Sequence, residues 1–282
     1  PRRFSRCPAP GPPPPRAGPS SVRLPAGPAS VVRRHPHAAV ALTHSYAHWN
    51  DIVLLEPDPS QPHRYRTPDV WREFERFSET LQIAGQPDER RDVSWTIWGP
   101  VLQPDYRGRT RALRWVAHSA DRLAASVMPF ETDRTIEEAF DTANGLGTPG
   151  QNIVAADRSG RIGWSVYGAI PRRVGIDGEL PASWADGTRG WDGWLNDAEY
   201  PRIIDPPSGR IWTANARVVD GEMLAKLGDA GYETGARAHI IRHRLAARDR
   251  FPPRALLARH ADTRPGSLSR RPRLLAKALS PV

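Results

Sequence analysis

One asparagine stands out among the residues of this 282-residue chain whose type and spacing could do chemistry. Asn215 lies in the run G-R-I-W-T-A-N-A-R, residues 209–217, directly after a turn that begins at Pro206. The β-forming side chains of residues 211–213 predict a short strand leaving that turn. An amide late in an apolar strand needs partners for two donors and one acceptor. It is either a loop-starting asparagine or a fixed donor for an oxyanion.

Other catalytic patterns are weak. His44 and His48 are four residues apart, as are His239 and His243, but neither pair has the glutamate of an H-E-x-x-H zinc motif. We interpret these histidines as solvated surface residues. The sequence contains no G-x-S-x-G nucleophile motif, phosphate loop or dinucleotide fingerprint, so these chemistries are not indicated.

The distribution of charge argues against a nucleic-acid partner. The net charge is +9, but residues 1–34 and 250–282 each carry +7, which leaves −5 for the middle of the chain. The basic residues are almost all arginine, whereas phosphate-binding surfaces also use lysine freely. No run of about 18 apolar residues occurs, so we expect no membrane span. The single cysteine excludes an internal disulfide bond.

The elements that must position Asn215 lie between two irregular ends. Residues 1–37 are rich in Pro, Arg, Gly and Ser, and we expect them to be disordered. Residues 38–249 form the folded part, and residues 250–282 are an Arg-rich tail. Short apolar runs separated by turn residues predict mostly antiparallel strands over residues 39–117.

The second half of the folded part mixes helix and strand. Residues 135–143 are predicted to be helical, with Asp133 as the cap. The D-R-S-G turn at residues 157–160 lies between two alternating runs, which is typical of a hairpin. Residues 171–195 read as a loop that tryptophans hold by packing, and residues 236–247 predict another helix.

Five segments, in order, resemble motifs of the penicillin acylase (penicillin amidase) family. They are L-T-H-S-Y-A with N-D (42–51), W-T-I-W-G-P-V (95–101), the hairpin region from T-P-G-Q-N to I-P-R-R (148–173), P-S-G-R-I-W-T-A-N-A-R (207–217), and G-A-R-A with Ile241 (235–241). No single segment would identify the family, but their order along the chain is specific.

The resemblance implies an α+β chain with part of the four-layer αββα fold of the N-terminal-nucleophile hydrolases. It also implies hydrolysis of the amide bond of a small N-acylated molecule, such as a β-lactam or an acyl-homoserine lactone. In that family a precursor cuts itself and exposes a serine in a Ser-Asn start. The serine hydroxyl attacks while its own α-amine, which titrates near pH 7.7–8, acts as base.

Site residues follow from the same resemblance. Asn215 matches the side-chain donor of the oxyanion hole, and the backbone N–H of His44 matches the second donor. Arg237 matches the arginine that orients the surroundings of the nucleophile. The nucleophile itself has no match, because the chain contains no Ser-Asn dipeptide.

The resemblance also implies a bound calcium ion as cofactor. Asp51 matches one of its carboxylates, and Pro171 matches a position that binds calcium through its carbonyl. His48 stands where the family has a second carboxylate. Because calcium prefers six to eight oxygen ligands, this change weakens the expected site, and no cofactor is certain from the sequence.

We expect that the chain is a fragment of the β-subunit region and that residues 1–37 are out of frame or wrongly started. Its partners would then be a small N-acylated substrate, the α-subunit and the remainder of the β-subunit. Without the serine, the chain as written should be inactive. The alternative is a non-catalytic relic that keeps the fold and binds a ligand or a partner. Family members are often periplasmic or secreted, but no signal peptide is visible, so localisation stays open.

Overall fold

A computed structural model of the chain describes residues 20–23, 30–34, 37–122, 130, 132–147 and 150–260. The described residues form sixteen strands and four α-helices. The strands are β1 (Ser20–Arg23), β2 (Ser30–Arg34), β3 (Ala38–His44), β4 (Asn50–Leu54), β5 (Arg64–Arg66), β6 (Trp71–Glu73), β7 (Glu75–Leu81), β8 (Glu89–Thr96), β9 (Gly99–Leu102), β10 (Arg111–Trp115), β11 (Gln151–Asp157), β12 (Ile162–Tyr167), β13 (Pro171–Val174), β14 (Ala182–Ser183), β15 (Gly190–Trp194) and β16 (Ile203–Ile204). The helices are α1 (Ile136–Gly145), α2 (Gly221–Leu227), α3 (Ala236–Ala246) and α4 (Pro253–His260).

The first six-stranded sheet has the order β1-β2-β3-β11-β12-β16 and is antiparallel throughout. At its centre, β3 pairs with β11 from Ala38 opposite Asp157 to His44 opposite Gln151. The predicted hairpin joins β11 to β12, and the Asp157 carboxylate accepts a hydrogen bond from the Ser159 N–H in its turn. This register places the end of β3 beside the start of β11.

Helix α1 covers one face of this sheet. Its apolar residues Ile136, Phe140 and Ala143 are fully buried against Ile153 of β11. The helix is capped by Thr135, whose hydroxyl accepts a hydrogen bond from the Glu138 N–H at 3.2 Å. This corrects the prediction that Asp133 is the cap. Asp133 is two residues too early and instead accepts a hydrogen bond from the Thr142 hydroxyl at 3.1 Å.

The second six-stranded sheet has the order β14-β4-β10-β9-β8-β7, with one parallel pair between β14 and β4. Its core contains Val53 and Ala112, which are opposite each other on β4 and β10, together with Tyr65, Trp98 and Trp184. The chain is therefore α+β and mostly antiparallel, as the sequence predicts.

Three segments differ from the sequence-based expectation. Residues 211–213 are irregular and not a strand, although their side chains favour one, because they hydrogen-bond no neighbouring strand. Residues 171–195, predicted as a loop, contain β13, β14 and β15. Disorder is predicted for residues 1–37, yet β1 and β2 extend the first sheet there. Backbone pairing of β2 with β3, and of β1 with β2, holds those two strands, and valines 22, 31 and 32 favour extended backbone.

The remaining predictions for the two ends lie outside the described residues, namely 1–19, 24–29, 35–36 and 261–282. Residues 148 and 149 of the third motif segment also lie outside them. Among the described residues, no helix is both long enough and apolar enough to cross a membrane.

Tyr200 links the end of α1 to the end of β12. Its hydroxyl donates to the Gly168 carbonyl at 3.0 Å, lies 3.2 Å from the Asn144 carbonyl, and accepts from the Ile170 N–H at 3.3 Å. Burial raises the pKa of Tyr200 to about 12. The neutral phenol is therefore the form that the fold stabilises.

We predict that Thr135→Ala lowers the free energy of unfolding by about 1 kcal/mol, because it removes the side-chain cap of α1. Thr135→Ser keeps the hydroxyl and should lose much less. Urea denaturation followed by circular dichroism measures both values. Equal losses in the two variants would contradict the capping role.

A second prediction concerns alkaline pH. Because the folded pKa of Tyr200 is about 12 and the unfolded pKa is about 10, its contribution is complete below pH 10 and is lost as pH rises to 12. Tyr200→Phe should be less stable than the unsubstituted chain at pH 8. The difference should shrink by about 2 kcal/mol by pH 12. Urea titrations at several pH values measure it, and a constant difference would refute the assignment.

Candidate active site

The carbonyl oxygen of His44, the last residue of β3, is the point where the candidate site converges. The side-chain amide of Asn152, in the adjacent strand β11, donates to it at 3.0 Å. The Asn152 side-chain oxygen in turn accepts from the Trp164 indole N–H at 3.1 Å. Both residues are about 1% exposed, so this side of the His44 carbonyl is fixed from the core.

Asn215 reaches the same carbonyl from the irregular segment after Gly209. Its side-chain amide donates to the His44 oxygen at 2.9 Å, and the hydroxyls of Thr43 and Thr213 are 3.0 Å apart beside it. Asn215 has a φ of 62°, in the left-handed region that Asn tolerates better than most residues. Its carbonyl accepts from the Glu233 N–H at 3.0 Å, so its backbone is held as well.

Arg237, in the first turn of α3, fixes the orientation of the Asn215 amide. Its guanidinium donates to the Asn215 side-chain oxygen at 2.8 Å and pairs with Glu233 at 2.5 Å. Because the oxygen accepts from Arg237, the NH₂ group must face His44. An NH₂ group has two N–H bonds, and the bond to His44 uses one of them.

The structure thus brings together Asn215, His44 and Arg237, which the sequence selected separately. The contact between Asn215 and His44 is made through the carbonyl of His44. The role of the His44 N–H as a second oxyanion donor stays a prediction. The His44 imidazole is exposed and packs edge-on against Tyr46 at 4.6 Å between ring centroids.

Sequence reasoning missed Asn152, Trp164 and Glu233 as parts of this network. A signal for Asn152 was present, because it is an amide in an otherwise apolar strand and must find partners in the core. The donor from Trp164 and the ion pair from Glu233 depend on tertiary contacts and have no comparable local signal.

A cavity of about 400 Å³ opens next to this network, between residues 203–218 and α3. Arg242 lies over the Trp212 ring at 5.7 Å on its wall. Ala216 and Gly235 line it, whereas Asn215 and His44 do not. The cavity adjoins the network without containing the amide that the resemblance assigns to catalysis.

The residues at the expected calcium site do not suit that ion. Asp51 is buried, and one of its oxygens accepts from Arg173 at 2.9 Å and from the Trp191 indole at 2.5 Å. His48 is buried, which corrects the prediction of a surface histidine, and it offers nitrogen where calcium prefers oxygen. Pro171 is fully buried in β13.

Within the described residues, no group of three or more His, Cys, Asp or Glu side chains could hold a metal ion. Calcium requires six to eight oxygen ligands, and the carboxylate available here is already engaged by two N–H donors. We therefore derive no chemical step through calcium. His239 and His243 are exposed on α3, as the sequence predicts.

The arrangement of sheet and helix matches a known class of enzyme fold. The thermostable penicillin G acylase from Alcaligenes faecalis superimposes with a TM-score of 0.68 at 23% sequence identity, over 81% of this chain and 41% of that one. The fold is that of an N-terminal-nucleophile hydrolase.

Sequence comparison then identifies the family. A family model described as penicillin amidase matches residues 22–279, and the chain belongs to that family. The matched range includes parts of both ends, which the motif resemblance over residues 38–247 left out. The matched range thus begins within residues 1–37, for which the sequence predicts a wrong frame or start.

Two curated relatives are similar over much of the chain. Penicillin acylase 2 proenzyme of Pseudomonas sp. (strain SE83) is 30% identical over 231 residues, 80% of this chain and 29% of the relative. Acyl-homoserine lactone acylase QuiP of Pseudomonas aeruginosa is 31% identical over 198 residues, 65% of this chain and 23% of the relative. The chain thus spans less than a third of the length of these proteins.

We predict that Asn152→Ala lowers the free energy of unfolding by about 2–4 kcal/mol. The change removes one donor to the His44 carbonyl and leaves the Trp164 indole N–H without its partner in the core. Asn50→Ala, at an exposed asparagine of β4, is the matched control and should cost less than about 0.5 kcal/mol. Urea denaturation measures both, and similar losses would refute the structural role of Asn152.

Proposed function

We propose that the protein is an amide hydrolase of the penicillin acylase type, which removes an N-acyl group from a small molecule. The observation that carries this proposal is the oriented amide of Asn215, held between the His44 carbonyl at 2.9 Å and the Arg237 guanidinium at 2.8 Å. An amide fixed at both ends does not have to reorganise when charge develops next to it.

In this mechanism the second N–H of Asn215 and the backbone N–H of His44 stabilise the oxyanion of the tetrahedral intermediate. Arg237 acts as a positioning residue, because its bond to the Asn215 oxygen keeps the NH₂ group pointed away from α3. The same bond draws electron density toward that oxygen and strengthens the amide as a donor. Glu233 holds Arg237 in place through their ion pair.

The attacking group in this proposal is a serine hydroxyl at the start of a Ser-Asn sequence, with its α-amine as base. The 282 residues contain no Ser-Asn dipeptide. We propose that the α-subunit and the remainder of the β-subunit complete the site, and that residues 38–249 supply the part with the oxyanion donors. The 282-residue chain by itself should then be inactive.

The relatives suggest the class of substrate. Penicillin acylase 2 proenzyme is named for a β-lactam, and QuiP is named for acyl-homoserine lactones. Penicillins and acyl-homoserine lactones each contain an acyl group joined to the amine of a small ring compound. We propose that the substrate of this protein is an N-acylated small molecule of that kind.

The test uses a chromogenic N-acyl anilide and two proteins, the 282-residue chain and a longer protein in which a segment with a Ser-Asn start precedes it. We expect turnover by the longer protein alone. Asn215→Ala in that protein should lower kcat by about 10²–10³-fold, the loss of one oxyanion donor. Asn50→Ala, at an exposed position, should leave kcat unchanged.

Absence of turnover in both proteins would favour the alternative, a non-catalytic relic that binds a ligand or partner. Turnover by the 282-residue chain would refute the need for the separate serine. If Asn215→Ala retained full kcat in the longer protein, the assignment of this amide to the oxyanion would be wrong.

A further inference from the structure

A buried ion pair lies at the position where the family resemblance suggests calcium. The Arg173 Nε donates to the Asp51 carboxylate at 2.9 Å, and the two side chains are 8% and 3% exposed. A second guanidinium nitrogen of Arg173 donates to the His48 carbonyl at 2.7 Å. One cation therefore contacts a backbone carbonyl of the loop before β4 and a carboxylate of β4 itself.

Further contacts surround this pair. The Trp191 indole N–H donates to the same Asp51 oxygen that Arg173 contacts, at 2.5 Å. Two guanidinium groups lie near the Trp191 ring, with that of Arg114 4.9 Å and that of Arg173 5.9 Å from its centroid. Arg114 is also opposite Asp51 in the register of β10 with β4. The carboxylate is thus surrounded by cationic and N–H donor groups.

Two glycines pack their backbones directly against the pair. A Cβ added to Gly178 would lie 2.7 Å from both Asp51 Oδ1 and His48 Nδ1, and 2.9 Å from Arg173 Nε. A Cβ added to Gly228 would lie 2.6 Å from His48 Nδ1. Both glycines have a positive φ, 85° and 72°, which glycine adopts at little cost. Because glycine has no Cβ, the backbone lies directly against the ion pair. The space beside the carboxylate is smaller than a methyl group.

The groups that remain could not complete a calcium shell. Asp51 Oδ1 and His48 Nδ1 are both buried, and neither atom has a hydrogen-bond partner among the described residues. They offer one oxygen and one nitrogen, whereas calcium takes six to eight oxygens. A guanidinium suits the site better, because its planar N–H groups match a carboxylate and a carbonyl at hydrogen-bond distance.

We propose that Arg173 is the structural cation of this site, in the place that the resemblance gives to calcium, and that the folded protein binds no calcium here. Its guanidinium joins His48 of the loop and Asp51 of β4 to the antiparallel pair β13–β15. Burial lowers the pKa of Arg173, and the Asp51 charge opposes that change. The arginine stays protonated because a guanidinium does not lose its proton in proteins.

The site also stabilises the candidate oxyanion residue. The loop that Arg173 binds begins directly after His44 and is tied to α2 by the bond from the His48 N–H to the Leu227 carbonyl, 2.9 Å long. A cation that belongs to the chain itself holds this loop whatever the calcium concentration. The family's stabilising ion would then be replaced by a residue that cannot dissociate.

The first test compares the chain in excess chelator with the chain in millimolar calcium. We expect the same melting temperature in both. Terbium, a luminescent substitute for calcium, should give no saturable signal when Trp191 is excited, although this indole touches Asp51. A fall in melting temperature with chelator that calcium reverses, or a saturable terbium signal, would overturn the proposal.

The second test removes the cation. Arg173→Ala leaves Asp51 buried without its partner, and the melting temperature should fall by roughly 6–20 °C. Arg91→Ala removes an exposed arginine that pairs with Glu89 and should change it by about 2 °C at most. Equal effects would overturn the proposal. If Arg173→Ala does not fold, the chelator and terbium measurements on the unsubstituted chain decide. Neither test uses a substrate, so its outcome is separate from the proposed activity.

Discussion

The geometry of the candidate site depends on one backbone carbonyl, that of His44, which accepts hydrogen bonds from two side-chain amides. Asn152 approaches from the sheet, and Asn215 approaches from the irregular segment that precedes α2. The bond from Asn152 lies in the core, and the bond from Asn215 lies nearer the surface. Because both end on the same oxygen, the Asn215 amide is tied to the sheet although its own segment is irregular. An exposed amide thereby gains the fixed orientation that stabilising an oxyanion requires.

A second constraint holds the loop that leaves this carbonyl. Asp51 lies in β4 of the second sheet, and its charge is compensated by Arg173 from β13. Removing either partner would leave a buried charge unpaired, which is far more costly than losing a surface ion pair. The second sheet and the β13–β15 pair are therefore linked through a polar contact close to the site. Enclosure by glycine backbone limits the room for water that would weaken the pair.

Much of the fold follows from local pattern. The strands from β3 to β12 and helices α1 and α3 lie near their predicted positions, because alternation and helical spacing record which side chains must be buried. The sequence-based prediction was wrong where the strand propensity of the side chains disagrees with the backbone pairing in the structure. Residues 211–213 have the side chains of a strand but no strand to pair with. In contrast, β1 and β2 have an unpromising composition, but β2 pairs with β3 and β1 pairs with β2. Edge pairing is a long-range event that a local window does not contain.

The sequence by itself determined the family and the α+β class, because ordered motifs preserve residue types that a shared fold requires. The same motifs singled out Asn215, His44 and Arg237 as candidate site residues. The sequence could not determine what these residues touch. Only the tertiary structure decided that Asn215 is bonded to the His44 carbonyl and Arg237, and that Asn152 and Trp164 complete the network. The tertiary structure also decided that Arg173 pairs with the carboxylate of Asp51, which the resemblance assigns to calcium. The physical reason is distance along the chain: Asp51 and Arg173 are 122 residues apart, and no local pattern specifies such a contact.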